Sequence, residues 1–139
     1  MPKNILVPLD LSKKNRAAIE MAASLGAAEG AETTLFHVIQ TIDGLSQDEL
    51  RAFYEKLEAK AHHAMHELAG PLRARRIAVR ERIVYGEPVK EIVEHAQTNG
   101  TDLIVLSSHA IEREHPFHDW GTVSYKVAIL CTCPVLLVK

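Results

Sequence analysis

Two stretches of this chain are placed to hold an anion. The apolar run Leu103 to Leu106 ends in Ser107-Ser108-His109-Ala110, and beyond a polar loop the chain resumes at Gly121-Thr122-Val123-Ser124. A buried strand feeding a turn of small residues, then a helix opening on Gly-Thr-x-Ser, presents backbone N–H groups to a phosphate. Such a loop wants glycine where Ser107 and Ala110 stand, and Glu112, Glu114 and Asp119 crowd the segment behind it against a single Arg113. The scaffold is that of a nucleotide site with an altered phosphate loop.

Histidines offer a second chemistry. His62 and His66 have the i, i+4 spacing that sets two imidazoles on one metal, yet they sit one position off the stripe of Ala61 and Met65, toward solvent. Neither a third ligand nor H-E-x-x-H accompanies them, so they read as surface histidines. His109, His115, His118 and Asp119 share the altered loop and could converge on one ion, an alternative to phosphate chemistry. Catalysis finds no support: G-x-x-x-x-G-K-[ST] and G-x-S-x-G are both missing. Lys126, one turn into the last helix, is expected in solvent. Cys131 and Cys133 are too close for an unstrained disulfide and lack C-x-x-C spacing, so they read as buried, inert thiols.

The elements that must position these residues alternate along the chain. Strands are expected near 4–9, 33–39, 77–84, 102–107 and 134–138. Ser12 offers an N-cap to a first helix carrying Ala18, Met21, Ala22 and Leu25. Ser46 and Glu49 form a capping box for a long second helix with Leu50, Phe53, Tyr54, Leu57, Ala61, Met65, Leu68 and Leu72 in one stripe. Alternating Ile77, Val79, Arg80 and Arg82 suit an edge strand, and Gly86-Glu87-Pro88 opens a third helix. The order β-α-β-α-β-α-β-α-β is that of an α/β, doubly wound, Rossmann-like five-stranded parallel sheet, order 3-2-1-4-5. Ligands then bind beyond the carboxyl ends of strands one and four, where the winding reverses. Asp10 and Ser107-Ser108 converge there.

With 139 residues, 47% hydrophobic and 24% charged, the chain reads as one soluble domain over residues 1–139. A net charge of -2 gives no electrostatic reason to expect nucleic acid or an anionic membrane as partner. No apolar stretch approaches the ~20 residues of a bilayer span, and no signal-peptide pattern follows Pro2-Lys3-Asn4, so the expected location is cytoplasmic.

Val7-Pro8-Leu9-Asp10-Leu11-Ser12, Leu35-Phe36-His37-Val38, Gly86-Glu87-Pro88 and Cys133-Pro134-Val135-Leu136-Leu137-Val138 occur in that order across the whole chain. The ordered set resembles the universal stress protein (UspA) family. That resemblance implies a stress-response regulatory module rather than an enzyme, and a homodimer formed through the last strand, Pro134 to Val138. In one branch of the family it also implies ATP bound through Gly-x-x-Gly, nine residues, then Gly-Ser/Thr. Pro8, Leu9 and Asp10 match the segment lining the adenine and ribose pocket, where Asp10 would accept from ribose hydroxyls; the plainer reading has Asp10 capping the first helix. Val38 matches the apolar wall for the base, and Leu106 leads into the phosphate loop. Gly121, Thr122, Val123 and Ser124 match the phosphate-holding helix end.

Ser107 and Ala110 replace both glycines, and ten residues separate Ala110 from Gly121 where the family has nine. A non-glycine residue at positive φ costs roughly 1–2 kcal/mol, so the two replacements are expected to weaken ATP by about one to three decades. Three functions stay open: a module for ATP or another adenine nucleotide with Mg, a nucleotide-independent dimeric interaction protein with unidentified protein clients, and a metal-responsive sensor built on the histidine loop.

Overall fold

A computed structural model describes residues 2–41, 47–108 and 120–139. The five strands are β1 (Asn4–Pro8), β2 (Glu32–Gln40), β3 (Val79–Gly86), β4 (Leu103–Ser107) and β5 (Val135–Val138). Four helices alternate with them: α1 (Asn15–Ala27), α2 (Gln47–Ala74), α3 (Pro88–Thr98) and α4 (Trp120–Leu130). The sheet runs β3-β2-β1-β4-β5, and every pairing is parallel. Strand order, direction and edge position of β3 are as the sequence implied, and no strand end departs from expectation by more than two residues.

Strand alternation divides the core in two. Ile5, Val7, Leu9, Leu35 and Val105 face α1 and α2, meeting Ala18, Ala22, Met65, Ala69 and Leu72. Leu6, Phe36, Val38, Ile104 and Leu106 face α3 and α4, meeting Val89, Ile92, Ala96 and Val127. Burial of these side chains, each worth about 1.5–3 kcal/mol for the larger aliphatics and aromatics, fixes the sheet between two helical layers.

Three helical expectations change. Ser12 does not cap α1, which starts at Asn15 behind Lys14 and has no side-chain cap. An extra turn, with Asn15 N–H donating to Ser12 O at 3.1 Å, comes first and uses up the spacing. The buried face of α1 is Asn15, Ala18, Ile19, Ala22, Ala23 and Gly26, so Met21 and Leu25 are exposed. Small residues win that face because they let the helix lie close on the sheet: a Cβ at Gly26 would come within 3.2 Å of Ile5 Cδ1. On α2 the stripe is buried at Ala61, Met65, Ala69 and Leu72, while Phe53 stays 48% exposed near the helix start. Ser46 of the capping box lies outside the described residues.

Candidate functional site

The carboxyl end of β1 sets the geometry. Pro8 and Leu9 are buried, and Leu9 N–H donates to Phe36 O at 2.7 Å, carrying the ladder one residue past the strand. The chain then reverses through Leu11 at φ 68. Asp10 stabilises that reversal: its Oδ1 accepts from Ser12 N–H at 2.9 Å, a side-chain turn that tolerates left-handed backbone beside it. The carboxylate therefore braces the turn ahead of α1 rather than capping the helix. Its other oxygen has no hydrogen-bond partner among the described residues.

Beside Asp10 opens a cleft of about 760 Å³, floored by the end of β2 from His37 to Thr41 and walled by Phe53, Leu57, Lys60, Ala61 and Ala64 of α2. This lies within the ~300–1,000 Å³ range of small-molecule sites. Val38 borders the cleft, but its side chain belongs to the α3/α4 core and is only 9% exposed. His37 is half-buried, with Nδ1 2.8 Å from Leu9 O. Burial pushes its pKa below the usual imidazole value, against the opposing pull of that bond and of Asp10.

One strand over, the end of β4 is a knot of polar side chains. Asn15 Nδ2 donates to Ser107 Oγ at 3.0 Å, and Ser124 Oγ donates to Ser107 O at 2.8 Å. Ser108 N–H donates to Val138 O at 2.8 Å. Ser107, Ser108, Asn15 and Ser124 are all buried, as is Leu106, which faces the α3/α4 core. Positive φ does not occur at Ser107. The expected backbone cost of replacing a glycine is thus absent there, because Ser107 closes β4 in extended conformation; its hydroxyl holds Asn15 instead.

Val123 packs against the α3/α4 core. Gly121 and Thr122 lie in the first turn of α4, whose backbone N–H groups have no intrahelical acceptor. Ala110 and the loop residues His109, His115, His118 and Asp119 lie outside the described residues.

The structure thus gathers Asp10, the end of β2 and α2 around one cleft, and Ser107, Ser108 and Ser124 into one knot beside it, across the β1–β4 pairing. Lys126 is exposed. Among the described residues no three His, Cys, Asp or Glu side chains group as a metal site. His62 pairs with Glu58 at 3.7 Å, His63 with Glu67 at 3.1 Å and His66 with Glu81 at 3.4 Å, all surface contacts. Burial raises the Cys131 thiol to about 11, helped by Cys133, and raises Cys133 as well.

Sequence reasoning passed over His37, Lys60 and Asn15. A histidine inside the apolar strand TTLFHVI was the available signal for the first. Lys60 precedes Ala61 in the buried stripe, which hinted at a rim position. Nothing local announces Asn15, since its partner is 92 residues away.

The family model described as the universal stress protein family matches residues 1–139. Universal stress protein YxiE of Bacillus subtilis (strain 168) is 31% identical over 154 aligned positions, covering 100% of each chain. The solved structure of MJ0577, from Methanocaldococcus jannaschii, has a TM-score of 0.84 at 30% identity, covering 99% of this chain and 95% of that one. A universal stress protein crystallised in complex with cAMP shares the fold at TM-score 0.73 and 22% identity, with 99% and 97% covered.

Proposed function

Because the chain belongs to the universal stress protein family, we propose that it is a cytoplasmic, non-enzymatic regulatory module that binds an adenine nucleotide in the cleft beside Asp10. One observation carries the reading: the spare carboxylate oxygen of Asp10 opens beside a cleft of about 760 Å³ at the carboxyl ends of β1 and β2. The cleft lies at the carboxyl edge of the sheet, where doubly wound folds take ligands, one strand over from the β1–β4 reversal. Ribose hydroxyls donate to Asp10, the base lies against Leu57, Ala61 and Ala64, and phosphate extends toward the first turn of α4. A relative bound to cAMP supports an adenine nucleotide as the ligand class.

The ligand is of the AMP type in preference to Mg-ATP. Ser107 Oγ accepts from Asn15 and donates to Lys14 O at 3.5 Å, and Ser124 Oγ donates to the Ser107 carbonyl, so two hydroxyl donors suited to a polyphosphate are engaged. Calorimetry with AMP and with Mg-ATP tests this. Expected are AMP binding that weakens about tenfold or more in Asp10→Ala, by loss of a charge-assisted hydrogen bond, and ATP no tighter than AMP. Silence from both nucleotides at millimolar concentration overturns the proposal.

A second reading concerns assembly. Among the described residues β5 is an edge strand whose one neighbouring strand is β4, its four residues are all half-buried, and Ile129 and Leu130 at the end of α4 are 78% and 57% exposed. An apolar edge of this kind tends to pair with another chain, and the proposed partner is a second copy.

A further inference from the structure

We propose that His37 selects the base of the ligand: its Nε2 accepts a hydrogen bond from an exocyclic amino group, so the cleft takes adenine through its 6-amino group. This rests on the nucleotide reading above and adds to it the atom that discriminates. Alternation along β2 puts His37 on the face of Leu35, toward α1 and α2, where it lines the cleft. Its Nδ1 lies 2.8 Å from Leu9 O. A carbonyl oxygen has no proton to give, so Nδ1 carries the hydrogen, and in the neutral ring Nε2 is left with a lone pair alone. Burial favours that neutral ring.

Among the described residues Nε2 makes no hydrogen bond and is not sealed from solvent. Asp10 beside it is likewise an acceptor, so the inner end of the cleft offers acceptors and asks its ligand for donors. The side-chain donors nearby, Lys60, Gln40 and Thr41, are exposed and sit at the rim. An adenine nucleoside meets the demand twice, with ribose hydroxyls for Asp10 and amino hydrogens for His37.

The deciding comparison is AMP against purine riboside 5′-monophosphate, which differs only by the missing amino group. IMP is a poorer probe because its N1–H can donate in place of the amino group. The expected result is about tenfold weaker binding of the deaminated analogue, from a partly buried acceptor left unpaired. His37→Asn keeps a donor for Leu9 O but brings nothing to the place of Nε2, and should bind both ligands alike. His37→Gln can put Oε1 there and should regain part of the preference.

Nitrogen-15 spectra of the unliganded protein give a separate reading: Nδ1 protonated, Nε2 bare, with Nε2 shifting on addition of AMP and not of the analogue. Equal affinity of the native protein for the two nucleotides overturns base selection and leaves nucleotide binding standing. A proton found on Nε2 overturns it whether or not ligand binds. If neither nucleotide binds, both proposals fall. Should His37→Asn not fold, the native-protein arms decide alone.

Discussion

At the scale of single residues, two histidines on opposite sides of the sheet ask for the same protonation state. His37 leans on Leu9 O, while His95 in α3 stacks 4.6 Å from the Phe36 ring and receives Asn99 Nδ2 on its Nδ1 at 3.2 Å. Burial lowers both pKa values, with Arg82 adding to the effect at His95. The unfolded chain therefore binds more protons than the folded one in the window just below the ordinary imidazole value of 6.5. Stability should be full above that value and fall as pH drops through the window. Urea midpoints at pH 7.5 and pH 5.5 check the direction, and a midpoint that rises on acidification contradicts it. Ser107 gives a second test. Ser107→Gly leaves the buried amide of Asn15 without its partner, when Asn15 Oδ1 already lacks one. Instead of repairing a phosphate loop, the change should destabilise the fold by about 1–3 kcal/mol, measured by denaturant unfolding. The serine was legible as a loop signal, but its role was not, because a contact between positions 15 and 107 has no trace in local pattern.

Among the elements, legibility followed how local the cause is. The start of α3 was readable because all its parts are adjacent in sequence. Gly86 takes φ 151, Glu87 accepts from Val89 N–H at 3.2 Å and Lys90 N–H at 2.9 Å, and Pro88 fills the first helical position. Glu87→Ala should cost about 1 kcal/mol through the lost cap. Gly86→Ala should cost a similar amount or more, since its backbone disfavours a Cβ and that Cβ would meet Glu91 Oε1 at 2.7 Å. Thermal unfolding of the two variants checks both, and a neutral Gly86→Ala means the strand end relaxes freely. The start of α1 was misread for the converse reason. Ser12 has the right side chain for a cap, but Leu11 at φ 68 and the turn behind it postpone the helix to Asn15. Apolar spacing on α1 likewise pointed to Met21 and Leu25; the sheet instead receives alanines and Gly26, a preference set by interlayer distance and not by hydrophobicity.

For the whole molecule, strand order followed from alternation and the winding rule, because five short apolar runs separated by helices leave few arrangements. The cleft was legible only as a place: Asp10 and the strand ends were foreseen, while the wall from Phe53 to Ala64 depends on how α2 crosses β2. Pairing through β5 belongs to this scale. Light scattering at tens of micromolar should report twice the chain mass, and a monomer there counts against the edge-strand dimer. Cys133 lies two residues ahead of that strand, with Cys131 at the foot of α4. With its thiol near 11, Cys131 is ionised in only about one molecule in ten thousand at neutral pH. It is the thiolate that attacks peroxides and disulfide reagents, so the pair is slow to oxidise and slow to crosslink. The proposed dimer should therefore weigh the same with or without reductant, and keep its mass on exposure to air.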